Sequence, residues 1–223
     1  MDIVEMYSKG KEILKKNPCI AVPPIVVSVI TGFFSHHMGK TIHLTTFMPS
    51  PTLVGTIFLF ALISMALSLL SEGASIAMSY EALKTEKTSL GSGITKVMER
   101  LGTLIVTTIL MGLIVGVGLF LFVIPGFIAM FFLIFAIPIA ILEDVSAVEA
   151  LKKSYFMVRS NIGDVFIYVA IAIFVIIIGG IAGKVLEAIP LAGKLVLAPA
   201  LSGLIMAYLY AVLTIFYSEL IKQ

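Results

Sequence analysis

Residues 101–142 read LGTLIVTTILMGLIVGVGLFLFVIPGFIAMFFLIFAIPIAIL, a run without one charged side chain, bounded by Arg100 and Glu143. A transmembrane helix needs about 20 predominantly apolar residues, so the run is long enough for two. Ile124-Pro125-Gly126 divides it, because Pro and Gly together punctuate helices. That predicts spans over 101–122 and 126–142 joined by a tight turn, with Pro138 kinking the second. The period-two alternation of a membrane β-barrel is absent, and helices are the other form that satisfies every backbone group in lipid.

Outward from this pair, the same criterion places spans at 18–35 and 53–73 on one side and at 163–183 and 196–217 on the other. Pro23 and Pro24 fall at the start of the first span, where proline is tolerated. Composition agrees: 60% of the 223 residues are hydrophobic and 13% are charged, against roughly 25% charged in soluble domains. A water-soluble fold of this size has too little interior to hide so much apolar surface. The predicted fold is therefore all-α, a polytopic bundle of six transmembrane helices with three amphipathic helices on its cytoplasmic side.

The cations fix the orientation. Lys9, Lys11, Lys15 and Lys16 precede the first span; Lys84, Lys87, Lys96 and Arg100 lie between the second and third; Lys152, Lys153 and Arg159 lie between the fourth and fifth; Lys222 follows the sixth. Only Lys40, Lys184 and Lys194 fall on the other side. The positive-inside rule puts both termini in the cytoplasm, in a cell membrane. The first sixteen residues lack a continuous apolar region, which predicts no cleavable signal peptide.

Each basic segment carries an amphipathic pattern. In the first, Ile3, Met6, Tyr7, Ile13 and Leu14 share a face; in the second, Ile94, Val97, Met98 and Leu101; in the third, Val148, Leu151, Tyr155 and Val158. Ser146 and Glu149 have capping-box spacing at the start of the third. The chain thus reads as one membrane domain of three repeated units, 1–83, 92–142 and 146–217, each an interfacial helix feeding a helical hairpin. The joints Lys16-Asn17-Pro18 and Ser160-Asn161-Ile162-Gly163 are alike, and Arg100-Leu101-Gly102 is a weaker match. The second span's helical pattern continues to about Leu83, longer than a bilayer's hydrocarbon core. The part after Gly73 is expected to project into the cytoplasm or lie against the interfacial helices, leaving Tyr80 and Glu81 wet.

Several of these segments together resemble a known group: Lys15-Lys16-Asn17-Pro18, Ile124-Pro125-Gly126-Phe127-Ile128, Phe135-Ala136-Ile137-Pro138, Leu142-Glu143-Asp144, Glu149-Ala150-Leu151-Lys152-Lys153-Ser154 and Val158-Arg159-Ser160-Asn161. The chain resembles a superfamily of uncharacterised prokaryotic six-span membrane proteins. It is also similar to the membrane domain attached to some glycerophosphodiester phosphodiesterases. The hydrolase domain of those enzymes has no counterpart in this sequence. The resemblance implies a six-helix fold and a link to membrane lipid, and no catalytic residue.

Candidate sites follow from polar groups near the spans. Lys152, Lys153 and Arg159 are the expected lipid-facing cations, since basic interfacial helices attract anionic head groups. Ser64, Ser68, Ser71, Ser75 and Ser79 step by helical turns along the second span with Glu72 beside them. An intramembrane acid is costly and marks ion paths, so Ser64, Ser68, Ser71, Glu72 and Ser75 form a possible transport path; Tyr168, Ser202, Tyr210, Thr214 and Tyr217 offer further polar groups on the fifth and sixth spans, which would line a polar cavity if these faces meet. Close helix packing through small residues explains the same stripe, as it does Gly112-xxx-Gly116 and Gly179-xxx-Gly183. His36, His37, Met38, His43 and Met48 crowd one external loop but lack the supporting groups a metal site needs, and no metal or cofactor is expected.

Cys19 is the only cysteine. Asp164 and Pro199-Ala200-Leu201 partly match aspartyl intramembrane proteases, but the second facing aspartate is missing. No phosphate-binding glycine loop and no dense basic stretch point to nucleotide or nucleic acid. The expected role is non-enzymatic, acting through membrane lipids or a protein partner; solute or ion transport is the alternative. The scarcity of amides, limited to Asn17, Asn161 and Gln223, fits a thermophile as well as a low-amide mesophile.

Overall fold

A computed structural model describes residues 3–44 and 51–222, with side chains of 37–44 outside that description. Among the described residues the chain is helical without strands, and six helical segments are long and apolar enough to cross a membrane. These are Pro18–His36, Pro51–Thr85, Leu101–Leu121, Val123–Leu142, Ile162–Leu186 and Gly193–Leu220. The architecture is an all-α bundle, as the apolar runs predict.

Helix α1 (Ile3–Lys16) is amphipathic and is followed by a short 3-10 turn at Pro18–Ala21 that leads into α2 (Val22–Leu44). Helix α3 (Pro51–Thr85) has 35 residues, about 52 Å at 1.5 Å per residue. Helix α4 (Leu90–Glu99) precedes α5 (Leu101–Leu121). The fourth span is made of two pieces, α6 (Val123–Phe132) and α7 (Ala136–Leu142). Helix α8 (Ala147–Ser160) precedes α9 (Ile162–Leu186), and a π-helical turn at Gly193–Leu197 opens α10 (Ala198–Leu220).

Helix α10 is the axis of the bundle: α1, α2, α3 and α9 all pack on it. Its half nearer the chain termini is enclosed, with Val212, Thr214 and Phe216 fully buried. Phe216 meets Phe135 edge-to-face at 5.4 Å and Tyr168 at 5.3 Å, an aromatic core of the favoured offset geometry. Helices α5 and α6 pack chiefly on each other and reach the remainder through α7 and α8.

Two punctuation points differ from expectation. The turn between the third and fourth spans is Phe122, whose backbone is extended (φ −155°), and Pro125 and Gly126 lie inside the first turns of α6. Proline there costs no helical hydrogen bond. Gly126 is needed for contact: a Cβ on it would collide with the Leu119 side chain. The break expected at Pro138 falls upstream, at Leu133–Phe135. Pro138 has no N–H for the carbonyl of Ile134, so the helix cannot run through that turn. The Ser154 hydroxyl, from α8, donates to the Phe132 carbonyl at 2.9 Å and accepts the Phe135 N–H at 3.2 Å. The hydroxyl thereby occupies backbone groups that the interruption leaves open.

The three joints between amphipathic helix and span share a geometry. Asn17 has φ −129° and Asn161 φ −128°, and each side-chain amide donates to the carbonyl four residues back, Ile13 or Met157. Arg100 takes their place at the second joint with φ −110°. Asn17 does more: its amide donates to the Glu86 carbonyl at 3.2 Å and its carbonyl accepts the Thr88 N–H at 3.2 Å. This clamps the turn after α3, where Glu86 has φ 63°.

The long second span runs two residues past the predicted end, yet its later part is not wet. Ser71 and Gly73–Ser79 are buried against α1, α4, α7 and α10, while Tyr80 and Glu81 are partly covered. Glu81 accepts hydrogen bonds from the hydroxyls of Thr88 and Ser92. Of the crowded histidines and methionines, His36 is described, whereas the side chains of His37, Met38, His43 and Met48 lie outside the described residues.

Candidate functional site

The amphipathic helices collect at one end of the bundle, and their cations fall into paired and unpaired sets. On α1, Lys9 pairs with Glu5 at 3.0 Å and Lys16 with Glu12 at 2.9 Å, both one helical turn apart. Lys11 and Lys15, also one turn apart, have no ion pair among the described residues. They stand on the rim of a cleft of about 450 Å³ between α1 and α10, whose floor is Leu14, Leu204, Ile205 and Tyr208. The cleft is thus apolar with two unneutralised ammonium groups on one edge.

Helix α1 is held there by three tyrosines. Tyr7 donates to the Tyr168 carbonyl at 2.9 Å, and Tyr208 donates to the Tyr7 carbonyl at 2.9 Å. Burial, with Tyr208 alongside, pushes the Tyr7 hydroxyl well above the ordinary phenol value, so it remains a donor. Gly10 sits against Val212 with no room for a side chain.

On α8 the three expected cations separate. Lys152 and Arg159 are exposed and unpaired among the described residues, beside Tyr155 and Phe156, the latter 60% exposed. Lys153 instead donates to Glu143 at 2.6 Å. Glu143 also accepts the Tyr217 hydroxyl at 2.7 Å. Its carbonyl accepts from Arg100 at 2.6 Å, and Arg100 pairs with Asp144 at 2.6 Å. Burial alone pushes the Glu143 carboxyl up, but the Lys153 and Tyr217 hydrogen bonds and the Lys153 charge outweigh it and hold it below the ordinary carboxylate value. Lys153 is correspondingly raised by its bond to Glu143. This cluster is a latch joining α5, α7, α8 and α10; Lys153 is bonded within it, and Lys152 and Arg159 are not. At the start of α8, Ser146 accepts the Glu149 N–H at 3.3 Å, while the Glu149 carboxylate lies toward Lys153 at 4.0 Å. Only the Ser146 half of the predicted capping box is formed.

The serine stripe does not face one cavity. Ser64 lines a narrow space between α2 and α3 with its hydroxyl buried and unbonded. Ser68 is exposed, Ser71 is buried, and Ser75 is buried with its hydroxyl donating to the Ile20 carbonyl at 3.0 Å. Ser79 donates to the Ser75 carbonyl at 2.7 Å. Glu72 points to a different cavity, among α3, α5, α6, α7 and α10. On α10, Ser202 and Thr214 donate to their own helix, at Ala198 and Tyr210. Gly112 and Gly116 have open space where a Cβ would be, so they do not pack helices within this chain; Gly179 does, against Ile205. Asp164 stands in the first turn of α9, a favourable end for a carboxylate. No group of three metal-ligating side chains occurs among the described residues.

An all-helical bundle with six span-length apolar helices and one strongly basic end defines a class, the multi-pass membrane proteins. Within it, residues 1–221 match the family described as a domain of unknown function, DUF7847, and the chain belongs to that family. No curated protein and no solved structure matches it.

The cleft under Lys11 and Lys15 was missed by sequence reasoning, although part of its signal was present. Subtracting the pairs Glu5–Lys9 and Glu12–Lys16 leaves Lys11 and Lys15 as the unneutralised cations of α1. Its floor comes from Leu204 and Ile205, remote in sequence, and no local pattern links them to α1.

Proposed function

We propose that the protein is a non-enzymatic multi-pass membrane protein, with both termini in the cytoplasm, that works by engaging anionic lipid of the cytoplasmic leaflet. The observation that carries this reading is the cleft between α1 and α10: two unpaired lysines over Leu204, Ile205 and Tyr208. A phospholipid matches both parts, its phosphate meeting the ammonium groups and an acyl chain covering the aliphatic floor. Lys152 and Arg159, flanked by Tyr155 and Phe156, supply a second, flatter contact of the same chemistry. The similarity to a membrane domain attached to some glycerophosphodiester phosphodiesterases supports a lipid role. The protein partner that such a scaffold presents to the cytoplasm belongs to the same proposal.

The test is lipid retention and thermal stabilisation of the purified protein, read by native mass spectrometry and unfolding in detergent with phosphatidylglycerol or phosphatidylcholine. Phosphatidylglycerol is expected to stabilise, and Lys11→Gln with Lys15→Gln to weaken its binding about thirtyfold, at about 1 kcal/mol per lysine. Equal stabilisation by the two lipids, or an unchanged response in the double variant, removes the reading.

A further inference from the structure

We propose that Glu72 and the cavity it faces form a binding site for a lipophilic ammonium compound that enters sideways from the bilayer. The claim is independent of the lysine cleft, which lies on the other side of α10.

The cavity has about 310 Å³ and is bounded by Glu72 of α3, Met111 and Gly112 of α5, Met130 of α6, Ile134 at the helix break and Leu213 of α10. The rest of its wall is aliphatic. Its volume sits at the lower end of the roughly 300–1,000 Å³ of small-molecule sites. Gly112 has open space where a Cβ would be, so α5 stands away from α3 at this level and leaves the gap.

Glu72 makes no hydrogen bond or ion pair among the described residues. The Tyr168 and Tyr210 hydroxyls are close enough to feel its charge, yet neither donates to it. Ile134 also lines the cavity. Ile134 lies four residues before Pro138, so its carbonyl has no helical N–H. Discontinuous helices with freed carbonyls recur at midplane binding sites of membrane proteins.

Glu72 is the one ionisable side chain on the wall, and no lining side chain carries positive charge. An anion there would meet no counter-charge, whereas an ammonium group pairs with the ionised carboxyl. An ammonium group supplies both the counter-charge for Glu72 and hydrogen-bond donors. The aliphatic wall and the thioethers of Met111 and Met130 suit an apolar body of adaptable shape. A lipid tail alone fills the space and leaves the carboxyl unanswered. The bound species is thus a small amphiphilic amine in its ammonium form.

The experiment uses the full chain in lipid nanodiscs with n-octylammonium as the probe and 1-octanol as its uncharged counterpart. Dicyclohexylcarbodiimide, a lipophilic reagent to which a carboxyl O–H adds across a C=N bond, reports access to Glu72 by peptide mass mapping. Glu72 is expected to be labelled, and octylammonium at ten times its dissociation constant to slow labelling about tenfold by occupancy, with octanol at equal concentration giving no comparable protection. Octylammonium is also expected to raise the unfolding temperature of the native chain and not that of Glu72→Gln. Gly112→Leu, which fills the gap from the opposite helix and leaves the carboxyl in place, is expected to lose the amine response while remaining folded. Failure of the reagent to label Glu72, equal protection by octanol, or an unchanged amine response in Gly112→Leu overturns the proposal.

Discussion

The two halves of α3 differ in composition and have opposite surroundings. From Pro51 to Ser68 the helix carries Phe58, Leu59, Leu62, Ile63 and Met65, all exposed, with Phe58 at 65%. From Leu69 to Ala82 it carries Ser71, Gly73, Ala74, Ser75, Ala77 and Ser79, all buried. Large side chains face outward where the helix stands clear of the bundle; where α1, α4, α7 and α10 close round it, small ones are buried together with Leu69, Ile76 and Met78. Between apolar elements a hydrophobic driving force is weak, so close approach decides which half is core. Hydropathy marks the first half as the membrane span. It does not show that the second half, with Glu72, Glu81 and its serines, is enclosed by other helices.

Substitutions that enlarge a side chain test the contrast most strongly. Ser75→Leu places a branched side chain in a filled site and removes the bond to the Ile20 carbonyl; it is expected to cost about 3 kcal/mol or more. Ser68→Leu, on the exposed half, is expected to change stability by less than about 0.5 kcal/mol. Thermal unfolding of both variants in one detergent is the measurement, and equal losses would break the comparison.

The latch around Glu143 gives a smaller effect and adds a pH signature. Glu143→Gln is expected to cost about 2 kcal/mol through the Lys153 and Tyr217 hydrogen bonds. Because the folded state holds this carboxyl below its ordinary value of 4.5, its stabilisation is full above that value. It is lost as pH falls through the lower folded value. Melting temperature of the native chain is expected to drop on acidification below about pH 4.5 more than that of Glu143→Gln; parallel curves would assign the acid sensitivity to another group.

The smallest change is Tyr7→Phe, which removes the donor to the Tyr168 carbonyl and keeps the ring contacts. A loss of about 1 kcal/mol is expected, with faster amide exchange along α1 and none along α9. Uniform exchange across the bundle would mean that α1 is held by burial alone.

Much of this fold was legible because it depends on local patterns. The six spans, the amphipathic segments and the length of α3 follow from periodicity and charge, and the likeness of the Asn17 and Asn161 joints is visible in short sequence. The break in the fourth span was half legible: Pro138 announces it, but the Ser154 hydroxyl that completes it comes from another helix. The end of α3 lies against the interfacial helices α1 and α4, one of the two placements expected; Tyr80 and Glu81 are half-buried rather than wet, because α7 and α10, remote in sequence, also pack on α3. Lys153 looked like Lys152 and Arg159 in sequence, and only the position of Glu143 shows it to be paired. Glu72 stood out as an acid among apolar residues. Which cavity it faces depends on α5, α6 and α10, remote in sequence, which spacing does not give.

The helix on which the others converge follows all of them in chain order. Insertion therefore begins with pieces that have nowhere to settle: the small, hydroxyl-bearing flank of α3 enters the bilayer and waits for α10. At about 5–20 residues per second that wait is on the order of ten seconds. Throughout it the nascent chain is greasy enough to stay in the bilayer and too incomplete to close. A chain interrupted before α10 would stay in that condition permanently, so translation of the sixth span is the step that turns an inserted polypeptide into a folded one.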